Sequence, residues 1–151
     1  MLVVHGGLFS RDDVTLEDIR KIDRFCEPPD EGIMSEIMWS DPQAAPGRLP
    51  SKRGVGLSFG PDVTADFLKR NGLKLIVRSH ELKEAGYEVE QDGQLVTVFS
   101  APNYCDQMGN KGALLRFTSE MEYSVHQFDA VPHPPVHAMA YAGHMSALYG
   151  L

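Results

Sequence analysis

The pattern of this chain predicts an α+β fold. Helix signals occupy much of the first 72 residues, whereas short apolar runs predominate beyond them. Two of those later runs, YEVEQ and QLVTVFSA, flank Asp92-Gly93, a dipeptide that favours a two-residue hairpin turn. Composition agrees: 151 residues with 42% hydrophobic and 23% charged content suffice for one domain with a real core.

Taken in order, Leu2-Val3-Val4 reads as a strand that runs into His5-Gly6-Gly7. The stretch from Asp12 to Phe25 reads as a short helix. Thr15 suits the N-cap, Asp18 follows three residues later, and Leu16, Ile19 and Ile22 are spaced for one face. Pro28-Pro29 ends it. A second helix is expected over 31–38, before a turn at Ser40-Asp41-Pro42. The next segment, QAAPGRLPSKRG, is rich in proline and glycine and is expected to be a functional surface loop. A strand over 55–59 precedes the clearer helix PDVTADFLKRNG, where Pro61 fits the first turn and Gly72 the left-handed position that closes the helix. LKLIVRSH is a buried strand ending in His80. After the hairpin come a polar loop, PNYCDQMGNKG, the strand ALLRFT and the alternating strand MEYSVHQFDAV. Residues 132–151 begin with prolines and end in a short amphipathic helix. Hairpin connections predict antiparallel sheet throughout the half beyond residue 72.

A formal charge of −7 argues against nucleic acid or an anionic membrane as partner. No apolar run approaches the roughly 20 residues that span a bilayer, and signal-peptide flanks are missing from the start. Cys26 and Cys105 are too few for a disulfide framework, which fits a reducing compartment. The expected location is the cytoplasm, with the nucleus as an additional one.

His5 and His80 share one arrangement: each ends an apolar strand and enters a polar or glycine turn. Ligand sites gather beyond the carboxyl ends of strands in open sheets, and imidazole is the commonest metal ligand. On pattern alone, each reads first as a hydrogen-bonded structural residue, with a metal ligand as the alternative. Two histidines also fall short of a complete site. Arg53, in SKRGVG, presents a planar donor fork that matches two phosphate oxygens, and the following glycine permits close approach. A solvated loop arginine is its plainer reading. Tyr104 and Cys105 follow a strand in SAPNYC, where the tyrosine could close over a substrate or simply line a rim. Cys105 has no neighbouring base in sequence to make it a nucleophile. His126, His133, His137 and His144 read as surface residues.

Together, VVHGGLFS, MWSDPQ, SKRGVGLSFG, VRSHELKEAGYEV and VFSAPNYCDQMGNKG resemble the C-terminal half of the PPP-type serine/threonine protein phosphatases, in the same order and spacing. CDQMGNKG, RSHE and the AVPHP…MAYA ending resemble the type 5 branch most closely. The QAAPGRLP loop and the final GHMSALYGL depart from it. The resemblance implies the C-terminal part, residues 1–131, of a metallophosphoesterase αββα sandwich, with 132–151 as a tail. It further implies hydrolysis of phosphoserine and phosphothreonine in proteins. In the family two divalent metals, manganese or iron, lie about 3.5–4 Å apart and bridge a hydroxide that attacks phosphorus in line.

By the family pattern His5 and His80 would ligate the second metal. Arg53 would clamp the phosphoryl oxygens, Tyr104 would line the phosphate pocket, and Asp41 would lie near the substrate groove. Cys105 and Met108 would belong to the rim that toxin inhibitors contact. The family's N-terminal half carries GDxHG, GDxVDRG and GNHE, which this sequence does not contain. The chain would thus hold two ligands of one metal and none of the other. The expectation is a fragment inactive alone, with an exposed sheet face and open strand edges. A chaperone link would run through the type 5 helical-repeat module, which the sequence also does not contain. A non-catalytic fragment that binds partners or substrates is the alternative.

Overall fold

The computed structural model describes residues 1–132, so the expected tail helix lies outside the described residues. Its strands are β1 (Leu2–Val3), β2 (Asp41–Pro42), β3 (Arg48–Pro50), β4 (Leu57–Phe59), β5 (Ile76–Arg78), β6 (Tyr87–Glu90), β7 (Leu95–Val98), β8 (Gly112–Phe117) and β9 (Tyr123–Phe128). The α-helices are α1 (Leu16–Arg20), α2 (Ile33–Trp39) and α3 (Pro61–Arg70). The strands form three sheets, ordered β1-β5-β7-β6, β2-β4-β3 and β8-β9. The α+β reading stands.

The expectation of purely antiparallel pairing beyond residue 72 does not hold. β5 runs parallel to both its neighbours, with Leu2 opposite Ile76 and Ile76 opposite Leu95. Ile76, Val77 and Arg78 are all buried. A short strand without polar alternation is what a central parallel position demands. The hairpin does form between β6 and β7, but Glu90 pairs with Leu95, so its loop has four residues rather than two. Gln91, Asp92 and Gly93 all adopt positive φ there. Gln91 holds that conformation because its side chain is taken up elsewhere: its amide donates to the Phe59 carbonyl at 3.2 Å and its oxygen accepts from the Thr64 hydroxyl.

Two further segments differ from expectation. The end of the proline-rich loop forms β3, antiparallel to β4, an edge strand where Pro50 is tolerated. The expected turn at Ser40-Asp41-Pro42 is instead the start of β2, parallel to β4, and Ser40 and Asp41 are buried.

Local signals elsewhere act as read. Thr15 and Asp18 form a reciprocal capping box on α1, worth about 1 kcal/mol. α3 starts at Pro61, buries Val63, Thr64, Phe67 and Leu68 on one face, and ends with Gly72 at φ +63°. Asn71, at its C-cap, accepts from the Leu16 amide at 2.9 Å and donates to the Val14 carbonyl, tying α3 to α1. The core gathers Phe59, Ile76 and Leu95 from both larger sheets, Phe67 from α3, and Leu8 and Phe9 from the segment after β1. At the far end, the Ala113 amide donates to the Phe99 carbonyl and seats β8 against the end of β7. No described helix is long and apolar enough to cross a membrane.

Candidate metal and phosphate site

Parallel pairing delivers two histidines to one place. The Val4 amide donates to Val77 O at 3.0 Å and the Ser79 amide to His5 O at 3.0 Å, so β1 and β5 end level with each other. Just beyond, His5 Nε2 lies 3.0 Å from His80 Nδ1. His80 sits at φ +71°, a left-handed conformation that costs an ordinary residue roughly 1–2 kcal/mol. Trp39, at the end of α2, packs edge-on against it with ring centroids 5.4 Å apart. Gly6 and Gly7 serve this turn by packing. A Cβ on Gly6 would stand 2.5 Å from the Met38 carbonyl carbon, and one on Gly7 would collide with the Phe59 ring.

Both imidazoles are kept neutral. Burial lowers the His80 pKa to about 4, helped by the positive charge of Arg53. His5 is lowered by partial burial and then by Arg78 and Arg53. Neutral imidazole is the form that ligates metal.

Arg53 stands beside them. Its Nε donates to Asp41 Oδ2 at 2.6 Å, and its Nη2 reaches Asp41 Oδ1 at 3.3 Å and His80 O at 3.4 Å. Among the described residues no protein acceptor meets its Nη1. Asp41 lies behind Arg53 rather than in the open: it is 3% exposed and its Oδ1 also accepts from Arg78 Nη2 at 2.8 Å. Burial pushes the Asp41 carboxyl up, but its bond to Arg53 and the charge of Arg78 bring it below its ordinary value. Losing one partner from such a buried pair costs about 3–5 kcal/mol.

Tyr104 completes an open depression shared with Arg53, His80, Phe99 and Lys52. It packs edge-on to Phe99 at 5.1 Å. Its loop is strained, with Asn103, Cys105 and Asp106 all at positive φ. Two asparagines hold it. Buried Asn110 accepts from the Tyr104 amide and donates to the carbonyls of Ala101 and Lys111, while Asn103 Oδ1 accepts from Gly109. Cys105 and Met108 are exposed on this loop. His126 lies in β9, away from the depression.

The structure thus brings His5, His80, Arg53 and Tyr104 to one end of the larger sheet. It adds Arg78, which the sequence reading passed over. A charged residue inside the apolar run LKLIVRSH was the available signal.

Ligation through His80 Nδ1 would put the ring proton on Nε2, a buried atom that has no hydrogen-bond partner among the described residues. Two nitrogens about 2.1 Å from one ion at a right angle lie roughly 3.0 Å apart, which matches the His5–His80 spacing. The pair fits as two ligands of an incomplete set. Among the described residues no group of three or more His, Cys, Asp or Glu side chains is placed to hold a metal.

The chain is similar to known phosphoesterases and protein phosphatases. The calcineurin-like phosphoesterase family matches residues 1–84. Serine/threonine-protein phosphatase 5 of Solanum lycopersicum is 65% identical over 150 residues, covering 99% of this chain and 27% of the relative. The Homo sapiens protein of that name is 59% identical, covering 94% and 29%. A solved protein serine/threonine phosphatase from Saccharomyces cerevisiae, with similarity to human phosphatase PP5, superposes with a TM-score of 0.83 at 45% identity. That match covers 89% of this chain and 45% of the other. The chain therefore spans under a third of the length of these two curated relatives.

Proposed function

This chain belongs to the calcineurin-like phosphoesterase family, which is metal-dependent, and we propose that it supplies the C-terminal part of a phosphoserine/phosphothreonine protein phosphatase domain. The observation that carries the reading is the meeting of His5 Nε2 and His80 Nδ1 beside Arg53 and Tyr104.

In this reading His5 and His80 hold one of two divalent ions, manganese or iron, with the other ligands supplied from outside the described residues. Bound metal would supply Lewis-acid polarisation of the phosphoryl group and a water-derived nucleophile. The chain's own residues bind and orient the phosphoryl group. Arg53 is anchored on one side by Asp41 and offers its remaining donors to phosphoryl oxygens, where developing negative charge is strongest. Tyr104 borders the same depression and offers a hydroxyl to the phosphate or the adjoining peptide. His80 and His5 stay neutral, so they add no positive charge that would compete with the ion. Substrates are phosphoproteins, as the names of the relatives indicate for those proteins.

The test is an assay of a phosphorylated peptide with manganese, using the 151-residue chain and the same chain preceded by the N-terminal half of a related phosphatase domain. Turnover only in the extended protein, lost on His80→Ala, supports the reading. Turnover by the short chain alone overturns the incomplete-site argument.

One observation favours the alternative of binding without turnover. Among the described residues β1 has a single strand neighbour, and a largely apolar groove lined by Leu2, Val4, Ile19, Ile22, Ile37 and Met38, with Arg20 and Arg24, includes residues of this strand. Binding of an unmodified partner protein with no turnover in the extended protein would support that alternative.

A further inference from the structure

The side chain of Arg78 is fully inaccessible to solvent, and arginine is seldom buried so completely unless its donors are matched. Here four hydrogen bonds engage all three of its nitrogens. Nε donates to Gly6 O at 2.6 Å, immediately after His5. Nη1 donates to Glu81 Oε2 at 2.8 Å, immediately after His80. Nη2 donates to Asp41 Oδ1 at 2.8 Å and to Ser40 O at 3.4 Å. Asp41 in turn carries Arg53. One planar guanidinium therefore touches the segment after each histidine and the carboxylate that holds the phosphate clamp.

We propose that Arg78 is a positioning residue that fixes both imidazoles and Arg53 in one frame, without itself meeting substrate. The proposal rests on the phosphate-clamp reading of Arg53. The physical reason is the rigidity of the fork. Five donors in one plane have fixed mutual angles, so three loops bonded to that plane cannot shift independently. A lysine at this place would keep a charge but could not satisfy acceptors in three directions. Side chains that hold others by buried bonds of this kind set how precisely a site is preorganised. Glu81 is the second part of the frame: its side chain is 18% exposed and ties the His80 turn back to β5.

The experiment follows side-chain nitrogen NMR signals in the full 151-residue chain, with inorganic phosphate as the anion probe. In Arg78→Lys, exchange of the Arg53 Nε–H with water is expected to rise by about tenfold or more, since its carboxylate acceptor is no longer braced. The His5 and His80 ring signals should shift together, and phosphate binding should weaken. Amide signals of the β8–β9 hairpin should stay in place, which a general loss of structure would not allow. Unchanged Arg53 exchange and unchanged ring signals in a folded Arg78→Lys protein would overturn the proposal.

Should that variant fail to fold, Glu81→Ala decides. It removes one bond at a partly exposed position and is expected to move the His80 ring signals while leaving the Arg53 Nε–H protected. No effect on His80 would overturn the proposal. Unchanged kcat/KM for Arg53→Ala in the extended protein, with the Arg53 and histidine signals still responding to Arg78→Lys, would overturn the clamp reading and leave the positioning role standing.

Discussion

His5 Nε2 and His80 Nδ1 approach to 3.0 Å across 75 residues of chain. Neither ring can reach the other without the parallel pairing of β1 and β5. The first prediction concerns that pair. Titration of the chain with zinc or cobalt ions should shift both rings together. His5→Ala or His80→Ala should weaken binding by about tenfold or more, as loss of one of two protein ligands requires. His126→Ala, in the distant β9, should leave affinity unchanged. Ion binding that survives both substitutions would show that the metal sits elsewhere.

Arg53 should matter to turnover in proportion to the charge it meets in the transition state. In the extended, competent protein, Arg53→Ala is expected to lower kcat/KM by roughly 10²–10³-fold. Arg53→Lys should recover only part of it, because an ammonium cannot bond Asp41 and phosphate with one rigid fork. Steady-state kinetics on a phosphopeptide separate these outcomes. Equal rates for the two variants would argue that only charge counts.

Asp41 ties stability to acidity. Its folded carboxyl titrates below its ordinary value, because Arg53 and Arg78 together outweigh the upward push of burial. The unfolded value is about 3.9. The stabilisation is therefore complete at neutral pH and is lost as pH falls below about 4 towards the folded value. Asp41→Asn should destabilise the chain by about 3 kcal/mol at neutral pH, since it takes away the buried carboxylate charge shared by Arg53 and Arg78 and leaves Arg78 with Glu81 as its remaining counter-charge. The gap from wild type should narrow near pH 3. Urea unfolding of both proteins at the two pH values measures it, and a constant gap would refute the assignment.

Gly6 packs against backbone rather than against a ligand. Gly6→Ala would drive a methyl group into the Met38 carbonyl, which cannot rotate away. A cost of about 1–3 kcal/mol is expected, read as a lowered Tm, together with weaker metal binding because His5 moves with the turn.

What the sequence made legible was local. The Thr15–Asp18 box and Gly72 depend on neighbours three or four residues away, and both formed as expected. The histidines were legible as strand ends, and the family resemblance implied that they would share one metal. Asp41, Arg53 and Arg78 were not legible as a cluster. Arg78 lies 37 residues from Asp41, and nothing near either residue announces the other. The parallel placement of β5 was missed because hairpin signals on its C-terminal side say nothing about a strand 74 residues earlier. The hairpin loop was misjudged because Gln91 answers to Phe59 and Thr64, not to Asp92.

The β1–β5 ladder also sets a clock. Closing so long a loop carries an entropic cost that only later contacts repay, so such pairings form slowly. During synthesis β5 is made more than 70 residues after β1. At roughly 5–20 residues per second, β1 waits for seconds before β5 can pair with it. The same ladder that brings the two imidazoles together thus leaves the β5-facing edge of β1 unpaired for that interval.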